Sequence, residues 1–227
     1  MSRFHKLTIK EIKKETNNAV SILFDIPTEL KSEFQFVAGQ YINIKKEIAG
    51  EELRRAYSIC SSPKSGDLRI AIKAVDNGTF SVFATTILTA GAILEVSKPE
   101  GKFILQTNHD GRKNYGAFVA GSGITPVIGM LKTVLTREPD SKVQLIYGNR
   151  NVEETIFYDE LTELASKYPG VFKMDFVFSQ NGGSDEMHSG RINGEKVVHL
   201  IEEFCGVGQA SGVYLCGPVD MINQVSG

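Results

Sequence analysis

The sequence predicts a β-barrel followed by an α/β domain: a six-stranded antiparallel Greek-key barrel over residues 1–110, then a parallel-sheet nucleotide-binding domain over residues 111–227. Three observations predict it. Through the first half, apolar and polar residues alternate in short runs bounded by turn residues, the period of half-buried strands. After Asn114 the pattern switches to apolar strand and amphipathic helix in turn, which is how a parallel sheet reads. At 227 residues, the chain has room for two domains of ordinary size, each with its own core.

The first-half strands are expected at Phe4 to Ile12, Ala19 to Ile26 after the Asn17-Asn18 turn, Gly39 to Ile44, Leu53 to Cys60, Leu68 to Ala74 and Ile93 to Val96. Six short strands at this spacing suggest a closed barrel. Between the last two, Thr79 to Leu88 places Phe80, Phe83, Ala84 and Ile87 at helical spacing behind Asn77-Gly78. The polar stretch Thr107 to Asn114 is the expected linker. Beyond it the order is strand Tyr115 to Ala120, helix Pro126 to Arg137, strand Lys142 to Tyr147, helix Tyr158 to Tyr168, strand Val171 to Phe178, helix Gly194 to Phe204 and strand Val213 to Cys216.

Composition narrows the function. Charged residues are 23% and the net charge is −2, so nothing favours nucleic acid. The N-terminus lacks the apolar core of a signal peptide, and the uncharged run Gly116 to Leu131 is short and rich in glycine, so neither a leader nor a membrane partner is expected. Cys60, Cys205 and Cys216 are odd in number and scattered, which points to a reducing compartment, the cytoplasm, and to no metal or iron–sulfur site built by this chain alone. The four histidines are equally scattered.

Two stretches carry chemistry. In Arg54-Arg-Ala-Tyr-Ser58, strand alternation puts Arg55 and Tyr57 on one face. A guanidinium grips phosphate bidentately and an aromatic ring lies against a conjugated one, so the pair suits a flavin nucleotide. A solvated surface pair is the plainer alternative. In Gly121-Ser-Gly-Ile-Thr-Pro126, glycines allow close backbone approach, Thr125 is expected as N-cap and Pro126 as first helical residue. The helix N-terminus would then stabilise an anion beyond the strand end, as in doubly wound folds. A merely well-capped turn is the alternative. Asn149-Arg150, Ser179-Gln180 and Cys216-Gly217-Pro218 end other strands on the same sheet edge, where Arg150, Ser179 and Gln180 could gather around a second phosphate.

Taken together, these residues resemble the ferredoxin–NADP reductase superfamily over nearly the whole chain. Arg55-Ala56-Tyr57-Ser58 is similar to its flavin signature and Gly78-Thr79-Phe80-Ser81 to its flavin-pyrophosphate segment. Residues 99–103 (PEGKF) are similar to the motif that closes the barrel, Gly121 to Pro126 to the NADP pyrophosphate loop, and Cys216-Gly217-Pro218 to the nicotinamide-side motif. The resemblance also implies flavin contacts for Ile72 and Lys73. Residues 147–150 (YGNR), 179–180 (SQ) and 190–192 (GRI) are most similar to the reductase components of phenylacetyl-CoA-type multicomponent oxygenases. Those reductases carry a [2Fe–2S] domain after the reductase module. Only nine residues follow Pro218, fewer than the family's last helix and strand need, so the chain is expected either to be a C-terminally truncated module or to serve a separate acceptor.

The resemblance implies an FAD-dependent oxidoreductase that passes electrons from NADPH, with NADH also admitted, through FAD to an iron–sulfur or ferredoxin-type acceptor such as an oxygenase component. The nicotinamide would meet one flavin face and Tyr57 the other. The resemblance places Ser58 near the flavin N5 as a hydrogen-bond donor, and Cys216 and Thr125 beside the nicotinamide. Proximity and exclusion of water are then the catalytic task, with Ser58 and Cys216 as the nearest side chains. Two alternatives are a free flavin or quinone reductase, and a non-catalytic FAD protein that relays electrons within a complex without binding nicotinamide.

Overall fold

The computed structural model describes residues 3–107, 112–180, 186–205 and 210–226, except the side chains of Cys205 and Ser226. Residues 108–111 of the expected linker, His109 among them, lie outside the described residues. The chain packs as two compact units, Met1–Gln106 with Ile128–Lys132, and Thr107–Val127 with Thr133–Gly227.

The first unit is a curled six-stranded sheet of β1 (Phe4–Thr16), β2 (Ala19–Asp25), β3 (Tyr41–Ile48), β4 (Glu51–Ser58), β5 (Leu68–Lys73) and β6 (Ile93–Ser97), with helix α1 (Thr79–Thr86) between β5 and β6. Their order across the sheet is β4-β3-β6-β1-β2-β5, with every neighbour antiparallel. Alternate residues turn inward, so Leu7, Ile9, Ile22, Ile42, Ile44, Leu53, Leu68, Ile70 and Ile72 form one apolar core. The expected closed barrel is a sheet whose ends meet through a single bridge, Ile59 to Ile70, rather than a full ladder. That short closure follows from the irregular chain after β4, which turns away at Ser61 to Ser65.

The second unit is a four-stranded parallel sheet ordered β10-β7-β8-β9, built from β7 (Asn114–Ala120), β8 (Lys142–Asn149), β9 (Phe172–Phe178) and β10 (Gly212–Cys216). Helices α2 (Ile124–Arg137), α3 (Tyr158–Lys167) and α4 (Gly194–Cys205) make the crossovers. Because β8 and β10 flank β7 on opposite sides, the chain leaves β7 in one direction and returns on the other. The carboxyl ends of β7 and β10 therefore form the switch point where doubly wound folds hold ligands.

A fifth helix, α5 (Val219–Ser226), corrects the expectation that too little chain follows Pro218 for a last helix. Its Met221 is buried, and Ile222 and Val225 pack against the same core as Phe118, Ile146, Val177 and Leu200. Among the described residues, no helix is long and apolar enough to cross a membrane, and no group of His, Cys, Asp or Glu side chains could hold a metal.

Candidate flavin and nicotinamide nucleotide sites

β4 is an edge strand, and its pairing with β3 sets which way each arginine faces. Arg55 lies opposite Ile44 and Tyr57 opposite Ile42, both inward residues, so Arg55 and Tyr57 share the inner face of the sheet. At this edge the core stops: Leu53 and Ile59 are buried, Tyr57 is half-buried and Arg55 is exposed. Burial pushes the Tyr57 phenol up to about 12, while the nearby Arg55 guanidinium pulls it down. Arg55 donates to the Arg54 carbonyl at 2.8 Å and has no carboxylate partner among the described residues. Arg54, on the outer face, is committed: its guanidinium reaches Glu52 Oε1 at 2.8 Å and lies 5.5 Å from the Phe4 ring centre.

The Tyr57 ring packs 5.8 Å from the Phe80 ring, which brings the first turn of α1 to the same place. Gly78 precedes that helix and supplies no side-chain cap, so the first-turn amides are left for an outside acceptor. A side chain at Gly78 would lie 2.3 Å from Ser81 Oγ and 2.5 Å from Val75 Cγ2, which is why the turn needs glycine. Ser81 Oγ accepts from the Val75 amide and donates to the Gly78 carbonyl, each at 3.2 Å. The Phe80 and Ile72 side chains are core and the Ser81 hydroxyl is spent on this turn, so at those three positions only the backbone is offered to a ligand. Thr79 and Ala56 are exposed, and Ser58 and Lys73 half-buried.

In the second unit, Gly121 to Gly123 form a 3₁₀ turn that runs directly into α2. This corrects the expected cap. Gly123 holds the N-cap place, while Thr125 and Pro126 are the second and third residues of the helix, both buried. The α-helix begins two residues earlier than a Thr125 cap would place it, led in by the 3₁₀ turn in which Gly121 adopts a positive φ of 54°. Proline still fits, since first-turn amides have no carbonyl four residues back to serve. Ser122 is exposed and Ile124 fully buried. A Cβ on Gly123 would lie 2.1 Å from the Cys216 carbonyl oxygen, so the β7 and β10 loops meet backbone to backbone at the switch point. Burial pushes the Cys216 thiol up, and Gly217 and Pro218 follow it at the same edge.

Two anchors of this loop were not singled out from the sequence. Tyr147, fully buried, donates its hydroxyl to the Gly121 carbonyl at 2.9 Å. Ile192 packs where a Gly148 side chain would stand, its Cδ1 3.1 Å from the place a Cβ would take. Both lie in the resembling stretches 147–150 and 190–192, but Tyr147 ends an apolar run that reads as core and Ile192 is a lone apolar residue among polar ones.

The structure brings Asn149, Arg150, Ser179 and Gln180 together by extending the ladder between β8 and β9. The Ser179 amide donates to the Asn149 carbonyl at 2.9 Å and the Gln180 amide to the Arg150 carbonyl at 2.8 Å, which commits those backbone groups to the ladder. Both polar atoms of the Asn149 side chain are buried, and beyond the interaction with the Tyr147 hydroxyl neither has a hydrogen-bond partner among the described residues. Such a group costs free energy unless something fills the place beside it, which fits a nucleotide held at this strand end. Arg150 is exposed and its Nη1 lies 3.7 Å from Glu154 Oε1.

Residues 6–104 match the oxidoreductase FAD-binding domain and residues 118–227 the oxidoreductase NAD-binding domain. The chain is 38% identical over 224 residues to a component of the 1,2-phenylacetyl-CoA epoxidase of Escherichia coli (strain K12), covering 99% of this chain and 63% of that protein. It is 37% identical over 172 residues to the ferredoxin reductase component of 3-ketosteroid-9-alpha-monooxygenase of Rhodococcus rhodochrous, covering 74% and 47%. With methane monooxygenase component C of Methylosinus trichosporium the identity is 33% over 159 residues, covering 70% and 45%. The chain thus spans between 45% and 63% of the length of these three relatives. The ferredoxin NADP+ reductase of Neisseria gonorrhoeae, solved with bound FAD and NADP, shares the fold at a TM-score of 0.81 and 20% identity, covering 100% of this chain and 90% of that one. An FAD-binding half on the curled sheet and an NAD-binding half on the parallel sheet, in that order, mean that this chain belongs to the ferredoxin–NADP reductase family of flavin oxidoreductases.

Proposed function

We propose that the chain is the FAD-dependent NAD(P)H reductase module of a multicomponent oxygenase, taking electrons from NADPH in preference to NADH and delivering them to a [2Fe–2S] ferredoxin-type acceptor or domain. The observation that carries it is Arg55, a cation with no carboxylate partner among the described residues, on one face with half-buried Tyr57 and beside the uncapped start of α1. That set fits a flavin nucleotide: the guanidinium and first-turn amides hold the pyrophosphate, and the Tyr57 ring lies against the isoalloxazine. FAD, when bound, supplies the ability to accept two electrons as a hydride and release them singly.

The remaining residues position and shield. Ser58, ending β4 one residue after Tyr57, offers its hydroxyl to the flavin edge. In the second unit the Gly121 turn receives the nicotinamide nucleotide's pyrophosphate, and the Asn149 amide at the end of β8 offers that nucleotide a further polar group. The Cys216 thiol, kept protonated by burial, serves there as a neutral neighbour rather than a nucleophile. Arg150 with the Ser179 and Gln180 side chains receives the 2′-phosphate.

Anaerobic titration of the FAD-loaded protein with NADPH tests this. Stoichiometric bleaching of the flavin absorbance is expected, with no iron in the purified chain and electron delivery to an added [2Fe–2S] protein. A flavin that NADPH and NADH both leave oxidised would refute the reductase reading and favour a non-catalytic relay.

A further inference from the structure

We infer that Glu154 is a specificity-determining residue for the nicotinamide nucleotide, holding Arg150 in competition with the 2′-phosphate and so narrowing the preference for NADPH over NADH. The inference rests on the nucleotide site proposed above. It starts from the loop 150–155, which is bonded to itself. The Asn151 Oδ1 accepts the Glu154 amide at 3.0 Å, the Thr155 hydroxyl donates to the Asn151 carbonyl at 2.8 Å, and the Thr155 amide donates to the Val152 carbonyl at 3.0 Å. Thr155 is buried, so this turn is fixed at its far end. An asparagine that bonds the chain a few residues on is a common way to close such a turn.

The turn sets Glu154, and not its neighbour Glu153, against the arginine. The two partners are unequally placed. The Arg150 side chain is 68% exposed and that of Glu154 only 26%, so the carboxylate is the fixed member and the guanidinium the one free to swing. A phosphate is the better ligand for a guanidinium, because it carries more charge and has three acceptor oxygens to a carboxylate's two. The same phosphate must approach a carboxylate that stays in place. Glu154 therefore opposes a 2′-phosphate twice, by occupying Arg150 and by like-charge repulsion. It does neither to a nucleotide that carries a 2′-hydroxyl.

An exposed ion pair is worth up to about 1 kcal/mol, roughly fivefold in affinity, and the repulsion adds an effect of the same order. Glu154→Gln is isosteric and keeps the turn, since the turn uses the backbone of residue 154. Calorimetric titration of the full chain with adenosine 2′,5′-bisphosphate and with adenosine 5′-monophosphate separates the effects. For Glu154→Gln, binding of the bisphosphate is expected to tighten by about three- to tenfold, with the monophosphate unchanged. Glu154→Asp, which keeps the charge, should stay near wild type, and Arg150→Ala added to Glu154→Gln should cancel the gain. An unchanged ratio of the two affinities in Glu154→Gln, or an equal shift for both nucleotides, would overturn the role of Glu154 alone. If wild type binds neither nucleotide, the site and this inference fall together.

Discussion

Replacing Arg55 by alanine removes a charged side chain of β4 that the fold itself hardly uses. Arg55 has no carboxylate partner among the described residues and only a bond to the neighbouring carbonyl of Arg54, so its loss should cost the folded chain little. Losing a charge-assisted contact to the flavin pyrophosphate costs about 1.5–3 kcal/mol, or roughly ten- to a hundredfold in affinity. Arg54→Ala reverses the pattern. It breaks an exposed pair with Glu52 and a contact over the Phe4 ring, together about 1 kcal/mol of stability, on the face away from Tyr57. Titrating the flavin-free protein with FAD, alongside thermal melting without FAD, gives both quantities for both variants. Arg55→Ala should bind FAD at least about ten times more weakly at nearly unchanged melting temperature, and Arg54→Ala the converse. Equal losses of FAD affinity in the two variants would refute the assignment of a cofactor face to the inner side of β4.

Other outcomes follow from the same geometry. Gly123→Ala forces a methyl onto the Cys216 carbonyl and should cost about 1–3 kcal/mol, lowering the melting temperature by several degrees and weakening nicotinamide nucleotide binding while FAD binding holds. Gly121→Ala meets no atom within 4 Å and carries only the positive-φ penalty, about 1 kcal/mol, so melting curves of the pair should separate crowding from backbone strain. The Tyr57 phenol should titrate near 12, read as the difference in phenolate absorbance between wild type and Tyr57→Phe. Its folded value lies above the unfolded one, so its share of stability is complete below about pH 10 and is lost as pH rises toward 12. Arg55→Ala should push that titration higher still, because the guanidinium is what pulls it down.

Strand positions were legible where pairing is regular and blurred where it is not. The alternation in β1 stops at Ile12 although the strand continues to Thr16, because register shifts after Ile9 and after Lys14 put consecutive residues out of phase with β2. β3 runs on to Ile48 through Lys45, Lys46 and Glu47, since its partner β4 is an edge strand and little is buried there. α5 had a signal, Met221, Ile222 and Val225 on one helical face, but eight residues are too few for periodicity to stand out. At the sites, motif residues could be located, but their hydrogen-bond commitments could not. Thr125 followed by Pro126 reads as a cap until the preceding glycines are seen to wind first. Glu153 and Glu154 both lie near enough to Arg150 in the sequence to reach it, but the choice of Glu154 is made by an asparagine turn outside any helix, which the sequence does not show.

Two of the proposed anion sites, those for the flavin pyrophosphate and the 2′-phosphate, each turn on a single arginine, and they differ in whether the fold already neutralises it. Arg55 faces no carboxylate among the described residues, so an arriving pyrophosphate gains the whole interaction and leaves an unpaired cation if it departs. That asymmetry suits a group that stays bound through turnover. Arg150 is shared with Glu154, so an arriving phosphate gains only the difference between two anions, and a departing one leaves the arginine paired again. The smaller difference makes release easier, as a nucleotide that must exchange every cycle requires. Removing Glu154 should therefore slow nucleotide release as it tightens binding, whereas among the described residues no comparable carboxylate stands beside Arg55 to loosen the flavin.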